Sequence, residues 1–337
     1  MNRELARKVA DAVLYEGYML YPYRPSALKN RQRWTFGILY PPAYSEVRTR
    51  TERSRMQTEC LLESATGASI TVELRFLHLM ARQTWEKVDG RSQPVPSLVV
   101  ADSMIESGNE AAERSLKFVI AIGAEPKAVT FAFSGSTSTD ELKDQSGRPC
   151  GSIIRTQQEV CGKLSVSSKQ IQNSLWKLKV NVSNETVFSG DVSDRNASLT
   201  CSLLSAHTIL AAKKGSFISL LDPPESLRQE VSACVNVGNF PVLVGNQGER
   251  DMLLCSPIVL YDYPQIASES ADDFYDATEI DEMLTLRVMT LTDDEKSEMC
   301  LADERMRSLL ERTEQTVREQ LARTHGTMRN PRPASQR

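Results

Sequence analysis

Apolar and polar positions along this chain alternate with a helical period at the start and a two-residue period through the middle. Leu5, Val9, Ala12 and Val13 recur at helical spacing while Arg3, Arg7, Lys8 and Asp11 fall mostly off that stripe, which predicts a helix over 3–14. Gly17 and Pro22 stop it from running much further. A basic loop then leads into Trp34-Thr-Phe-Gly-Ile-Leu-Tyr40, an aromatic and β-branched run closed by Pro41-Pro42 and predicted as a strand. Over 60–80 two apolar runs flank Ala65-Thr-Gly67. In the second, Ile70, Val72, Leu74 and Phe76 alternate with Thr71, Glu73 and Arg75, so a hairpin is expected.

Further strands are predicted at 117–122, 128–133 and 162–166. The clearest is 176–182, where Trp176, Leu178, Val180 and Val182 alternate with Lys177, Lys179 and Asn181. Between them, 134–151 is rich in Ser, Thr, Gly and Asp and almost free of apolar residues, the composition of a flexible surface loop joining two β-rich regions. A hairpin is expected from 198–212 and 216–221 about Lys213-Lys-Gly215. Asp222-Pro-Pro-Glu225 has the N-cap acid, early Pro and returning Glu of a short helix running to about Cys234. Apolar runs at 242–244 and 253–261 read as strands, the second bent or placed at an edge by Pro257.

After Pro264 the composition turns acidic and helical in period, with capping boxes at Thr292-Asp-Asp-Glu295 and Thr316-Val-Arg-Glu319. The expected class is therefore α+β: a β-rich body of sandwich-like antiparallel sheets, an N-terminal helix and a helical C-terminal region. The corresponding organisation is 1–133 with the leading helix, a flexible loop at 134–151, a second β-rich region at 152–264, acidic helices at 265–327 and a disordered tail at 328–337.

Composition changes this picture little. A chain of 337 residues that is 40% apolar can bury a substantial core, and a formal charge of -4 does not suggest a nucleic-acid binder. No apolar run is long enough to cross a bilayer as a helix and the N-terminus lacks a signal-peptide pattern, so a cytoplasmic protein without membrane insertion is expected. Seven cysteines, at 60, 150, 161, 201, 234, 255 and 300, form no spacing pattern and fit a reducing compartment.

Known chemical signatures do not occur. The glycine turns that place backbone N–H groups on a phosphate are missing, as are C-x-x-C and H-E-x-x-H, so no cofactor, metal or catalytic set is assigned. Of the three histidines, His78 and His207 fall in phase with apolar strand positions, which favours hydrogen-bonded core residues over general bases. His325 closes the last predicted helix, where a cation meets the C-terminal dipole. Asp262, Glu269, Asp272, Asp273, Asp276, Glu279, Asp281 and Glu282 crowd together without the spacing or turn glycine of a calcium loop, which leaves them as a solvated or partner-facing surface.

Charge and tyrosine are distributed unevenly. Residues 1–60 hold eleven Lys or Arg against six Asp or Glu, whereas 260–300 hold two against twelve. Six of nine tyrosines lie at 15, 18, 21, 23, 40 and 44, and the rest at 261, 263 and 275. Tyr and Arg supply large apolar area with a polar end and dominate binding hot spots. The partner-binding candidates are accordingly Tyr15, Tyr18, Tyr21, Tyr23, Arg24, Arg33 and Trp34 at one end, and Tyr261, Asp262, Tyr263, Glu279, Asp281 and Glu282 at the other. The alternative is that the basic start packs on the acidic end within the chain.

The run Val9-Ala-Asp-Ala-Val-Leu-Tyr-Glu-Gly-Tyr-Met-Leu-Tyr-Pro-Tyr-Arg24, followed by Asn30, Arg33-Trp34 and Phe36-Gly37, resembles the start of an uncharacterised bacterial family. Ser256-Pro-Ile-Val-Leu-Tyr-Asp-Tyr-Pro-Gln265 and Thr278-Glu-Ile-Asp-Glu-Met-Leu-Thr-Leu-Arg287 are similar to its other signature stretches. That family is associated with gene clusters of high-affinity, actinobacterial-type NiFe hydrogenases. The resemblance implies a non-enzymatic accessory or maturation role, with a hydrogenase subunit or another maturation factor as partner. Nickel delivery is not expected, because the Cys and His clusters that soft-metal carriers display are missing. Two other classes compete with this reading: a hydrolase-type enzyme assembled from distant residues such as His78, Asp262 and Glu282, and a structural subunit of a homo-oligomer.

Overall fold

The computed structural model describes residues 3–15, 36–48, 52–88, 90–100 and 103–265. They belong to one unit, Met1–Tyr18 with Gln32–Ile266, and none belongs to the second, Met19–Arg31 with Ala267–Arg337. In chain order the elements are α1 (Arg3–Tyr15), α2 (Pro42–Glu46), β1 (Arg55–Val88), β2 (Arg91–Val95), β3 (Ser97–Val100), β4 (Ser103–Glu106), β5 (Gly108–Ala121), β6 (Lys127–Phe133), β7 (Ser136–Lys143), β8 (Pro149–Gln157), β9 (Val160–Gln170), β10 (Leu175–Asn184), α3 (Arg195–Leu199), β11 (Leu204–Phe217), α4 (Arg228–Ser232), β12 (Phe240–Leu243) and β13 (Met252–Ser256). The fold is β-rich and antiparallel, with a few short helices. The predicted helices of 265–327, the tail at 328–337 and the Trp34-Thr35 start of the first predicted strand lie outside the described residues.

β1 organises the sheet. One edge pairs in turn with β10, β5 and β2, the other with β11 and then β8. The expected hairpin about Ala65-Thr-Gly67 is instead one continuous strand. Between the pairs Ser64–Gly215 and Ser69–Lys213, four residues of β1 face one of β11, so the interruption is a bulge. Gly67 takes φ +77° there and Lys214 takes φ +62° on the facing strand, so both strands bend together and pairing resumes. Lys213-Lys-Gly215 is likewise no turn: β11 runs through it, while part of the strand expected over 198–212 forms α3, capped by the Asp194 side chain.

The 134–151 segment is a correction too. It forms β7 and the start of β8, joined by a turn in which Asp144 Oδ1 accepts from the backbone of Ser146 and Arg148. β7 is almost wholly exposed and has no apolar face to show in the sequence. Its backbone ladder to β8 holds it instead. Because β8, β10 and β11 all pair with β1, strands of the 1–133 and 152–264 regions share one sheet. The helix expected after Asp222 is reduced to a 3₁₀ turn and the five-residue α4, with Pro224 and not an acid preceding the turn.

The sheet curls around one core. Ile70, Val72, Leu74 and Phe76 join Leu164, Val166, Leu178, Val180 and Val182 in the same buried cluster. β6 lies three strands from β1 along the pairing order, about 14 Å in a flat sheet, yet the Phe76 and Phe133 rings are 5.7 Å apart. Gly162, paired with Phe131, makes this closure possible: a Cβ there would lie 2.4 Å from the Phe131 ring and 2.7 Å from Ser183 O. On the opposite face, α1 sets Ala6, Val9, Ala10 and Val13 against Ile209, Val242, Met252 and Leu254. Burying a valine in this way is worth about 2 kcal/mol, so this stripe is the main anchor of the helix.

Candidate functional site

The predicted site residues that are described divide sharply by their surroundings. Tyr15, at the end of α1, is buried and its hydroxyl donates to the Glu113 carboxylate on β5. Tyr15 is thus part of the helix anchorage. Tyr18, Tyr21, Tyr23, Arg24, Arg33, Trp34, Glu279, Asp281 and Glu282 lie outside the described residues.

Tyr261, Asp262 and Tyr263 sit on an irregular strap that follows β13. Pro257 ends that strand because it has no N–H to continue the ladder. Ile258 and Leu260 turn inward onto the α1 cluster, and the strict alternation throws Val259 and Tyr261 outward, 95% and 83% exposed. The strap is pinned beyond them. Asp262 accepts from the Leu243 N–H at 2.8 Å and from the Ser219 hydroxyl at 2.5 Å, and the Tyr263 N–H donates to Leu243 O at 2.7 Å. Tyr263 is held at φ +55°, an uncommon conformation for a side-chain-bearing residue, and packs against the core. Asp262 is therefore a structural clamp, and the exposed pair is presented on fixed backbone.

The histidines are core residues. His78 is fully buried with Nε2 2.9 Å from Gln158 O. Burial, helped by the Arg114 charge, pushes its pKa down to about 4. His207 is also fully buried, with Nδ1 2.8 Å from Ser205 O, and desolvation brings it to about 4 as well. Each ring is held neutral and tied to a backbone carbonyl, which suits a structural role.

Arg75 lies on the face of its strand opposite Ile70, Val72, Leu74 and Phe76, and is buried there, directly across the β1–β11 ladder from His207. Its Nη2 lies 2.5 Å from Asp11 Oδ1 and 3.6 Å from Glu113 Oε2. The sequence signal for this burial is indirect: Asp11 belongs to a helix whose apolar stripe must cover one face of the sheet.

Thiol chemistry is suppressed in the same manner. Cys60 and Cys255 are buried and burial raises both, Cys255 to about 11; the Cys161, Cys201 and Cys234 thiols are raised chiefly by desolvation too. Among the described residues no group of three or more His, Cys, Asp or Glu is placed to hold a metal ion, and no helix is long and apolar enough to cross a membrane.

A cavity of about 350 Å3 opens between the 36–40 segment, the turn before β1 and the start of α3. Arg53, Arg195 and Glu52 are its charged members, and Gly37 and Gly238 form part of its wall. Nothing in the sequence grouped these residues, because they come from five separate segments.

The fold and its surface thus define a β-rich protein with an exposed Val259–Tyr261 strap and a small cavity lined in part by Glu52, Arg53 and Arg195. No family model matches the chain, and neither does any curated protein.

Proposed function

We propose that this protein is a non-enzymatic accessory protein that docks a protein partner through the Val259–Tyr261 strap, the partner being a subunit or maturation factor of a NiFe hydrogenase. The observation that carries the docking part is the strap itself: two large apolar side chains facing outward from backbone that Ile258, Leu260 and Asp262 hold in place. A tyrosine presented without loss of backbone freedom is a strong anchor, since little ordering entropy opposes its burial. The resemblance in the Ser256 to Gln265 stretch, which contains this strap, supports the choice of partner class.

The test is affinity purification of the tagged full chain from a host that makes the hydrogenase, beside a Val259→Ser/Tyr261→Ala variant. A stoichiometric hydrogenase subunit or maturation factor is expected with the parent chain and at least tenfold less with the variant, at unchanged melting temperature. Retention of that partner by a folded variant, or its absence from the parent preparation, would overturn the proposal.

A further inference from the structure

The two buried histidines carry a second, independent inference. His78 shares a face of β1 with Phe76, whereas His207 lies across from Arg75 on the other face. Each histidine therefore has an arginine beside it on its own face. For His207 it is the cross-strand partner, Arg75. For His78 it is Arg114, which pairs with Phe76 one step along that face. Gln157 links this second pair, accepting from Arg114 Nη2 at 2.9 Å and donating to His78 O at 3.3 Å.

Hydrogen-bond chemistry fixes the tautomer of each neutral ring. A carbonyl only accepts, so His78 carries its proton on Nε2, which faces Gln158 O, and His207 carries its proton on Nδ1, which faces Ser205 O. His78 Nδ1 and His207 Nε2 are then acceptors, and both atoms are buried without a partner among the described residues. A guanidinium only donates, and each neighbouring arginine also has one buried nitrogen without a partner, Arg114 Nε and Arg75 Nη1. The same combination of one donor and one acceptor occurs twice. An anion would meet the imidazole lone pair, and a cation would meet the guanidinium charge. An uncharged hydroxyl group satisfies both atoms, and water is the smallest molecule that supplies one, needing about two to four polar partners when buried.

We propose that one internal water binds at each site. On the core face it accepts from Arg114 Nε–H and donates to His78 Nδ1, tying β1 to β5. Beneath α1 it accepts from Arg75 Nη1–H and donates to His207 Nε2, tying β1 to β11. The inference rests on neither the strap nor any protein partner.

The test is water-to-protein magnetisation transfer on the full chain with its histidine rings labelled with carbon-13 and nitrogen-15. The ring Cε1–H adjoins both nitrogens and does not exchange with solvent, so a rotating-frame cross-peak to water reports a bound neighbour. Cross-peaks with the sign of a long-lived water are expected at His78 and His207, with unprotonated nitrogen shifts at His78 Nδ1 and His207 Nε2 at neutral pH. Arg114→Met should lose the His78 cross-peak and keep that of His207. A missing cross-peak at either ring of the parent chain, the opposite tautomer, or a His78 cross-peak retained by folded Arg114→Met would each overturn the proposal; should that variant not fold, the parent chain alone decides.

Discussion

Asp11→Ala should destabilise this protein more than Arg75→Met, although both remove the same ion pair. Arg75 is 2% exposed and its Nη2 rests 2.5 Å from Asp11, with Glu113 farther off at 3.6 Å. The two carboxylates are different, with 35% and 42% of their side chains exposed. Removing Asp11 leaves a guanidinium buried beneath α1 with one distant partner, and stranding a buried charge typically costs about 3–5 kcal/mol. Glu113 offsets part of this, which places Asp11→Ala near 3 kcal/mol, about the lower end of that range. Removing Arg75 instead leaves two carboxylates that water can reach, and the Met side chain keeps most of the packing volume, so about 1 kcal/mol is expected. Tyr15 continues to donate to Glu113 in both variants. Urea denaturation followed by circular dichroism measures both values, and the double variant should match Arg75→Met alone. If Arg75→Met is as destabilised as Asp11→Ala, the account of α1 anchorage by a desolvated cation is wrong.

Two further predictions concern the core. His78 and His207 both have folded pKa values of about 4, below the unfolded value of about 6.5, so the unfolded chain binds more protons in between. Their contribution to stability is intact above about pH 6.5 and is lost as pH falls towards 4, about 3 kcal/mol for each at the lower end. Urea midpoints should therefore fall steadily across this window, and a His207→Phe variant that folds should show a shallower fall; an equal slope in that variant would count against the assignment. Gly162→Ala places a methyl 2.4 Å from the Phe131 ring and 2.7 Å from Ser183 O, so it should cost about 1–3 kcal/mol and lower the melting temperature. A melting temperature equal to that of the parent would show that β6 does not close over β9 in this way.

Alternation exposed some strands and concealed others for a physical reason. The 176–182 run shows its buried face because Leu178, Val180 and Val182 point into one core while lysines occupy the other side. β7 shows nothing, since a strand exposed on nearly all its residues has no apolar period, and its ladder uses backbone groups that every residue carries. The breaks at Gly67 and Lys213-Lys-Gly215 look like turns in the sequence because a glycine among polar residues is what a turn requires. A paired bulge requires the same residues. Only the register of β1 against β11 separates the two, and register is a relation between segments that one segment's sequence does not contain.

The same limit governs the candidate site. Tyrosine at 15, 261 and 263 is one residue type with three surroundings: an anchor to Glu113, an exposed side chain and a core contact. Asp262, which in sequence belongs with the acidic surface, is used up in clamping Leu243 and Ser219. Arg75, which alternates with core positions, is used up in holding α1. Structural work of this kind consumes side chains whose chemistry is otherwise suited to function, and subtracting it narrows the field. Val259 and Tyr261 on a pinned strap are what the subtraction leaves. Backbone rigidity costs entropy that folding alone does not recover, and this is the physical ground for testing that strap first.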